Sequence, residues 1–373
     1  MGEYVKVTCV CEKSQGELQL SGQLPADTTV CACNSCRYST GVLFVSCATL
    51  ASKPQLAEVL KRYDSSDKLS RYFCDGCGSH MLVHELSSDS WSVCMGVIDG
   101  VVGPEQDSRV PPISIGKIMQ HEFVGDTHDG GLSICLGEID KRTVPFYLQG
   151  PDQQPVTINI ERRPPFAGGR NPSFSTRGPN QGLEQEVSSD DLAASCHCGL
   201  VQFFLTRPDE GSRSCSSPWP DLLVPYHSSS PENPQGVKWW LSGEDKYLAG
   251  TCACRSCRLA SGSPVQAWAF VPKSNIFLFN GEPLDFGQAG LRRIQSSPGC
   301  FRESCTNCGA TAFWHCEERP ELIDVSVGLL RAKEGARAET WLDWWTERVS
   351  FAEEAIDRPL IDAFESGLRC LKL

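Results

Sequence analysis

The chain has 373 residues, a formal net charge of −12, 40% hydrophobic residues and 21% charged residues, which is typical of a globular protein with two or three domains. An acidic chain without a long basic run is not expected to bind nucleic acid, because that binding depends on clustered Lys and Arg side chains. No segment approaches the ~20 consecutive apolar residues of a membrane span, and the first residues lack the features of a signal peptide. We therefore expect a cytoplasmic protein, with the nucleus as the alternative, and no membrane partner.

Fourteen of the 21 cysteines form a pattern of seven that occurs twice. The first copy consists of Cys9, Cys11, Cys31, Cys33, Cys36, Cys74 and Cys77, and the second of Cys196, Cys198, Cys252, Cys254, Cys257, Cys305 and Cys308. Because the total is odd and a secretory signal is lacking, this close grouping favours metal binding over disulfides. The other seven are interpreted as small buried hydrophobic residues: Cys47, Cys94, Cys135, Cys215, Cys300, Cys316 and Cys370.

The repeat predicts two domains, at residues 1–150 and 191–373. Residues 151–190 between them are rich in Pro and Gly and are predicted to be a linker. The second copy carries an additional Pro- and Ser-rich stretch at about 207–236, which predicts a surface-loop insertion. Insertions that fall between intact cysteine clusters fit a fixed metal framework with variable loops.

Short segments rich in β-branched and aromatic residues predict mostly strands. In the first domain these are residues 17–20, 42–47, 80–85 and 91–97, with 157–161 as a last strand. In the second domain they are residues 201–205, 266–271, 276–279, 312–315 and 322–327. Helices are predicted at 55–62, 350–355 and 359–368. The expected fold class is mainly β, with two tandem zinc-stabilised domains of small antiparallel sheets and few short helices.

The outer cysteines of each copy form one Cys-x-Cys pair and one Cys-x-x-Cys-Gly pair, which predict a single structural zinc per domain. The glycines after the last cysteine, Gly78 and Gly309, are expected to adopt positive φ so that backbone N–H groups turn toward the sulfurs. The central Cys-x-Cys-x-x-Cys leaves three thiolates, the number of protein ligands that a catalytic zinc uses beside an open position. The alternative is a closed site completed by one of the other cysteines.

An arginine follows each central triplet, Arg37 in the first copy and Arg258 in the second, and either would balance the charge of a three-thiolate zinc site and could hold a carboxylate. The alternative is that Arg37 faces solvent. The seven histidines do not recur at ligand spacing in both copies, so we expect none of them to be a ligand.

The arrangement Cys-x-Cys, Cys-x-Cys-x-x-Cys-Arg-x-x-x-Gly and Cys-x-x-Cys-Gly resembles the glutathione-dependent formaldehyde-activating family, which includes a centromere-associated branch and has a zinc-bearing β-tent fold. Residues 93–99 resemble the family's strand ending in Gly-x-Leu-Asp, and His121-Glu122-Phe123 resembles its His-Ile-Phe segment. In the second half, residues 325–330 lack the aspartate, and residues 339–342 are predicted to stand in place of the His segment.

The resemblance implies up to four zinc ions per chain. Cys9, Cys11, Cys74 and Cys77 would hold a structural zinc in the first domain, and Cys196, Cys198, Cys305 and Cys308 one in the second. Catalytic zinc would bind Cys31, Cys33 and Cys36, and likewise Cys252, Cys254 and Cys257. Family activity is carbon–sulfur lyase chemistry, with glutathione as co-substrate and formaldehyde or a related electrophile as partner. The alternative function is a noncatalytic zinc-stabilised module that binds protein partners.

Overall fold

The computed structural model describes residues 2–102, 114–158, 188, 190–220, 224–226 and 230–371. Most of the predicted linker, part of the predicted insertion, His227 and residues 159–161 of the predicted last strand lie outside these ranges. The described residues are mainly β, which confirms the predicted fold class. None of the helices in this part of the chain is long and apolar enough to cross a membrane.

The described residues of the first half form twelve strands and one α-helix. The strands are β1 (Tyr4–Thr8), β2 (Gln15–Gln19), β3 (Ala26–Cys31), β4 (Val45–Thr49), β5 (Lys61–Asp64), β6 (Leu69–Phe73), β7 (His80–Glu85), β8 (Ser90–Cys94), β9 (Ile98–Val101), β10 (Gly116–Glu122), β11 (Glu138–Ile139) and β12 (Arg142–Thr143). Helix α1 spans Asn34–Thr40. A three-stranded sheet has the order β2-β1-β9, and a seven-stranded sheet has the order β10-β3-β4-β8-β7-β6-β5.

The second half repeats this plan, with eleven strands and three α-helices in its described part. The strands are β13 (Leu192–Ser195), β14 (Gln202–Leu205), β15 (Leu241–Ser242), β16 (Lys246–Cys252), β17 (Gln266–Pro272), β18 (Ile276–Leu278), β19 (Leu291–Ser297), β20 (Cys300–Cys305), β21 (Thr311–Cys316), β22 (Leu322–Ser326) and β23 (Leu342–Trp344). The helices are α2 (Glu210–Ser214), α3 (Arg255–Ser261) and α4 (Arg358–Cys370). An eight-stranded sheet runs β15-β16-β17-β22-β21-β20-β19, with β23 paired in parallel to β16.

The predicted strand 80–85 matches β7, and the predicted helix 359–368 lies within α4. The prediction of a helix over 55–62 was wrong, because only a 3-10 turn at Gln55–Glu58 forms before β5 begins. The segment 350–355 also contains only a 3-10 turn, Ala352–Glu354. The predicted insertion is not loop alone: α2 forms within it because Asp209 and Ser212 make a capping box at its first turn.

The two halves meet through equivalent backbone turns that approach each other closely. A Cβ atom on Gly96 would lie 2.4 Å from the carbonyl carbon of Gly262, and one on the equivalent Gly328 would lie 2.4 Å from that of Gly41. The Gly96 N–H donates to the Gly262 carbonyl at 3.0 Å. Because equivalent residues make both contacts, the contact between the halves has an approximate twofold symmetry. Only glycine fits at Gly96 and at Gly328.

The core is continuous across the halves. Phe44 of the first half packs against Phe364 of α4, with ring centroids 6.1 Å apart. Helix α4 also lies on the 3-10 turn Ser133–Leu136, where a Cβ on Gly367 would meet the Cys135 carbonyl at 1.9 Å. The C-terminal helix thus packs on the first half, although the repeat assigns it to the second domain. The domain boundaries at residues 1–150 and 191–373 stay a prediction.

Candidate metal centres

In each half, the structure brings the four outer cysteines close together, and we call each such group an outer quartet. The Sγ atoms of Cys9, Cys11, Cys74 and Cys77 lie within 4.8 Å of one another, and those of Cys196, Cys198, Cys305 and Cys308 do likewise. Adjacent sulfurs are 3.5–3.8 Å apart in the second quartet, close to the ~3.8 Å edge of a tetrahedron with ~2.3 Å zinc–sulfur bonds. The donor set and spacing therefore fit a closed four-thiolate zinc.

A glycine shapes the second turn of each quartet, as predicted. Gly78 has φ +81° and Gly309 has φ +78°. Each donates its N–H to the carbonyl of the quartet's third cysteine, Cys74 at 2.8 Å and Cys305 at 3.0 Å. This left-handed turn lets two cysteines three residues apart face the same point.

Each central triplet lies at the start of a short helix that the sequence analysis did not predict. Cys33 precedes α1, and its Sγ accepts the N–H of Cys36 at 3.2 Å. Gly41 follows the helix and caps its C-terminus in the left-handed conformation, with φ +84°. The Sγ atoms of Cys31, Cys33 and Cys36 lie within 4.8 Å of one another, which places three candidate ligands on one turn of chain.

The second triplet repeats this geometry on α3. The Sγ of Cys254 accepts the N–H of Cys257 at 3.3 Å, and Gly262 ends the helix with φ +77°. Cys252, Cys254 and Cys257 form the fourth group that could hold a metal ion. Within the described ranges, none of the four groups includes a histidine or one of the other seven cysteines.

A buried arginine contacts each triplet, and the sequence analysis missed both. Arg71 Nη2 lies 3.2 Å from the Sγ of Cys36, and Arg302 Nη2 lies 3.3 Å from the Sγ of Cys257. Their exposed fractions are 1% and 4%. Each stands three residues before a cysteine of the second outer pair, so a repeated Arg-x-x-Cys was the available signal. A zinc ion with three thiolates carries one net negative charge, which these guanidinium groups would balance.

These contacts bias one thiol of each triplet toward ionisation. Hydrogen bonds from Cys31 and Cys33 hold the pKa of Cys36 well below its ordinary value, and the charge of Arg71 acts in the same direction. Hydrogen bonds from Cys252 and Cys254, with Arg302, lower the pKa of Cys257 in the same way. The pKa of the other two thiols of each triplet is raised, so one thiolate per triplet is favoured before a metal binds.

Arg37 and Arg258, which the sequence analysis predicted to support the triplets, make other contacts than Arg71 and Arg302 do. Arg37 is buried rather than facing solvent, and its Nη1 donates to Asn34 Oδ1 at 3.2 Å. Arg258 is also buried and holds a carboxylate, that of Asp99 in the other half, with Nη2 2.6 Å from Oδ1. The structure thus places Arg258 at the contact between the halves.

Each triplet helix lies against the outer quartet of the other half. The His197 N–H, between two quartet cysteines of the second half, donates to the Tyr38 carbonyl of α1 at 2.8 Å. Its ring lies 2.6 Å from the Tyr63 hydroxyl. At the opposite contact, Arg255 of α3 forms ion pairs with Asp99 and Glu12. His197 therefore joins the halves.

A cavity of about 440 Å³ adjoins the second triplet. Its lining includes the three cysteines and Arg302, with aromatic walls from Trp268, Phe270, Trp314, Trp219 and Phe351. Two acids also line it, but both have partners: Asp324 accepts from Arg319 at 2.7 Å, and Glu354 accepts the Arg255 N–H at 2.9 Å. The cavity provides room for an organic molecule beside the sulfurs.

The predicted counterpart of the His segment in the second half was wrong. In the first half, the Glu122 carbonyl accepts the Ala32 N–H at 3.0 Å; in the second, the Ser350 carbonyl accepts the Ala253 N–H at 2.9 Å. The following Phe123 and Phe351 share a positive φ, 56° and 54°. Residues 349–351 are therefore the counterpart, whereas residues 339–342 lie before or at the start of β23.

The family model described as glutathione-dependent formaldehyde-activating enzyme matches residues 4–113 and 235–348, more than half of the chain. The chain belongs to this family. The two matches agree with a tandem repeat, although the second begins after Cys198 and so omits two cysteines that the structure places beside Cys305 and Cys308. No curated protein and no solved structure matches the chain.

Proposed function

We propose that this family member is a zinc-dependent carbon–sulfur lyase that makes and breaks glutathione–aldehyde adducts of the formaldehyde type. In the forward direction, the thiol sulfur forms a bond to the carbonyl carbon and the thiol proton ends on the oxygen; the reverse reaction breaks that bond. The observation that carries the proposal is a three-thiolate group, backed by a buried arginine, that opens onto a cavity. Its substrates would be a small-molecule thiol and an aldehyde or related electrophile.

The proposed ligands for catalytic zinc are Cys31, Cys33 and Cys36 in the first half and Cys252, Cys254 and Cys257 in the second. When bound there, zinc would supply a Lewis acid for the thiolate or for the aldehyde oxygen. The chain's own part is to hold three sulfurs where a strand leads into a short helix and to balance their charge with Arg71 or Arg302. The outer quartets would hold structural zinc.

The cavity beside the second triplet favours an enzyme over the alternative, a noncatalytic module for protein partners. A structural zinc needs four protein ligands and no neighbouring space. Here three cysteines and Arg302 line a recess of ligand size. Such a recess suits a small molecule better than a protein surface.

The test is NMR exchange spectroscopy on glutathione and formaldehyde with the zinc-loaded chain. The double variant Cys36→Ser, Cys257→Ser should lose the catalysed exchange while keeping the circular dichroism spectrum and the structural zinc. Cys370→Ser, at an exposed cysteine of α4, is the matched control and should exchange as the wild type does. Undiminished exchange in the folded double variant would exclude the proposed site.

A further inference from the structure

Three aromatic side chains set the second site apart from the first. Trp268 pairs with Ser326 in the sheet, as Cys47 pairs with Cys94 in the first half. By the same registers, Phe270 corresponds to Thr49, and Trp314 corresponds to Val83. The positions that form an aromatic wall beside one triplet are therefore small or aliphatic beside the other.

The insertion supplies a fourth aromatic wall. Trp219 lies in it, and its Nε1–H donates to Glu318 at 2.9 Å. The guanidinium of Arg319 lies 4.8 Å from the Trp219 ring and 4.9 Å from the Trp314 ring, so that it is stacked between them. The insertion thus closes the cavity on one side with an apolar surface instead of forming only an external loop.

One polar atom of the cavity, Arg302 Nη1, suits a single ligand oxygen next to the aromatic rings. Arg302 is the basic residue among the described residues that line it, and its buried Nη1 has no acceptor in that part of the chain. A hydroxyl or carbonyl oxygen would satisfy Nη1, and an apolar body would cover the aromatic rings.

We propose that the second site binds thiol–aldehyde adducts whose aldehyde-derived carbon carries an aromatic group, whereas the first site lacks that preference. The adduct's oxygen would accept from Arg302 Nη1, and its ring would pack against Trp268, Trp314 and Trp219. This inference rests on the proposed function, since it assigns the substrate class of the same triplet. The bond changes are those given above, with an aryl aldehyde in place of formaldehyde.

Calorimetric titration of the zinc-loaded full chain with two neutral thiols tests this preference. Phenylmethanethiol contains the aryl–carbon–sulfur unit of an aromatic aldehyde adduct, and ethanethiol lacks the ring while, like phenylmethanethiol, carrying no oxygen. Burial of the ring should make phenylmethanethiol bind about tenfold more tightly or better. Trp268→Cys, which installs the first half's residue, and Trp219→Ser should each remove most of that difference, while Cys47→Ala at the equivalent position should not.

Equal binding of the two thiols, or an unchanged preference in both tryptophan variants, would overturn the inference. Trp219→Ser changes a half-buried side chain, so it keeps the test valid if Trp268→Cys fails to fold. Failure here is separable from failure of the proposed function. Formaldehyde exchange without an aromatic preference would remove only this inference, whereas an aromatic preference without exchange would remove only the lyase.

Discussion

Asp99 of the first half forms an ion pair with Arg258 of the second, with 2.6 Å between Oδ1 and Nη2. The equivalent turn in the second half carries Arg331 in place of Asp99, and its guanidinium stacks 3.2 Å from the centroid of the Tyr38 ring. The contact between the halves is therefore symmetric in its backbone and asymmetric in its charges. One side has a carboxylate between two arginines, and the other has an arginine on an aromatic ring.

Replacing Asp99 with Asn should destabilise the chain by about 2 kcal/mol, because it leaves the buried Arg258 without its charged partner. Urea unfolding followed by circular dichroism measures the loss. Asp89→Asn is the control, since Asp89 pairs with His84 on an exposed surface and should have no measurable effect. Equal effects of the two substitutions would show that the ion pair does not stabilise the contact.

The contribution of Asp99 to the free energy of unfolding should disappear in acid. Burial raises the pKa of Asp99, but the hydrogen bonds and charges of Arg255 and Arg258 outweigh it, so the pKa lies below its usual range. A lowered folded pKa gives stability that is present above the ordinary value of about 4 and is lost as the pH falls through the folded pKa. The stability difference between wild type and Asp99→Asn should therefore be constant near pH 7 and shrink below about pH 4. A difference that grew on acidification would contradict this assignment.

Arg302→Gln should weaken zinc binding at the second triplet about tenfold, because it removes the charge and the hydrogen bond on Cys257. Competition with a chromophoric chelator measures the affinity, and Arg302→Lys should restore part of it. Arg213→Gln, at an exposed arginine of α2, is the control. The same zinc affinity in Arg302→Gln and in the control would show that the arginine acts on the fold alone.

The cysteine clusters were predictable because metal ligands lie in short local motifs. Cys252, Cys254 and Cys257 come from six residues, so their proximity needs no knowledge of the sheet. Strand β7 was predicted at its observed bounds because its residues favour strands and lie between turn-forming ones. The helices α1 and α3 were missed, since their N-caps are cysteines that already had a metal-site explanation.

Contacts between segments far apart in the sequence could not be predicted from the sequence patterns. Asp99 and Arg258 are 159 positions apart, and no motif joins them. The role of Arg71 was also hidden, because the pairing of β6 and β7 turns its side chain toward a triplet 35 positions away. Predicting the aromatic wall would have required the register of the sheet. Trp268 and Trp314 lie on different strands, β17 and β21, and each of these strands pairs with β22.

Gly96→Ala should destabilise the chain by about 1–3 kcal/mol, because the added Cβ would lie 2.4 Å from the Gly262 backbone. Gly328→Ala should have a similar effect at the equivalent contact with Gly41. Gly16→Ala is the matched control, since a Cβ on Gly16 meets no atom within 4 Å. Thermal unfolding of the three variants compares them, and three equal melting temperatures would show that the glycine contact is not tightly packed.

Mild chelation should remove two zinc ions and leave the fold intact, and stronger chelation should remove two more and unfold the chain. Each quartet joins segments about 65 or 109 positions apart, Cys9 with Cys74 and Cys196 with Cys305, so its zinc contributes directly to folding. Each triplet takes its sulfurs from six residues and crosslinks nothing distant. Native mass spectrometry counts the metals while circular dichroism follows the fold. Cys36→Ser should then lose one labile zinc, and Cys74→Ser should lose the fold; simultaneous loss of all four metals would show that the quartets and triplets do not differ in this way.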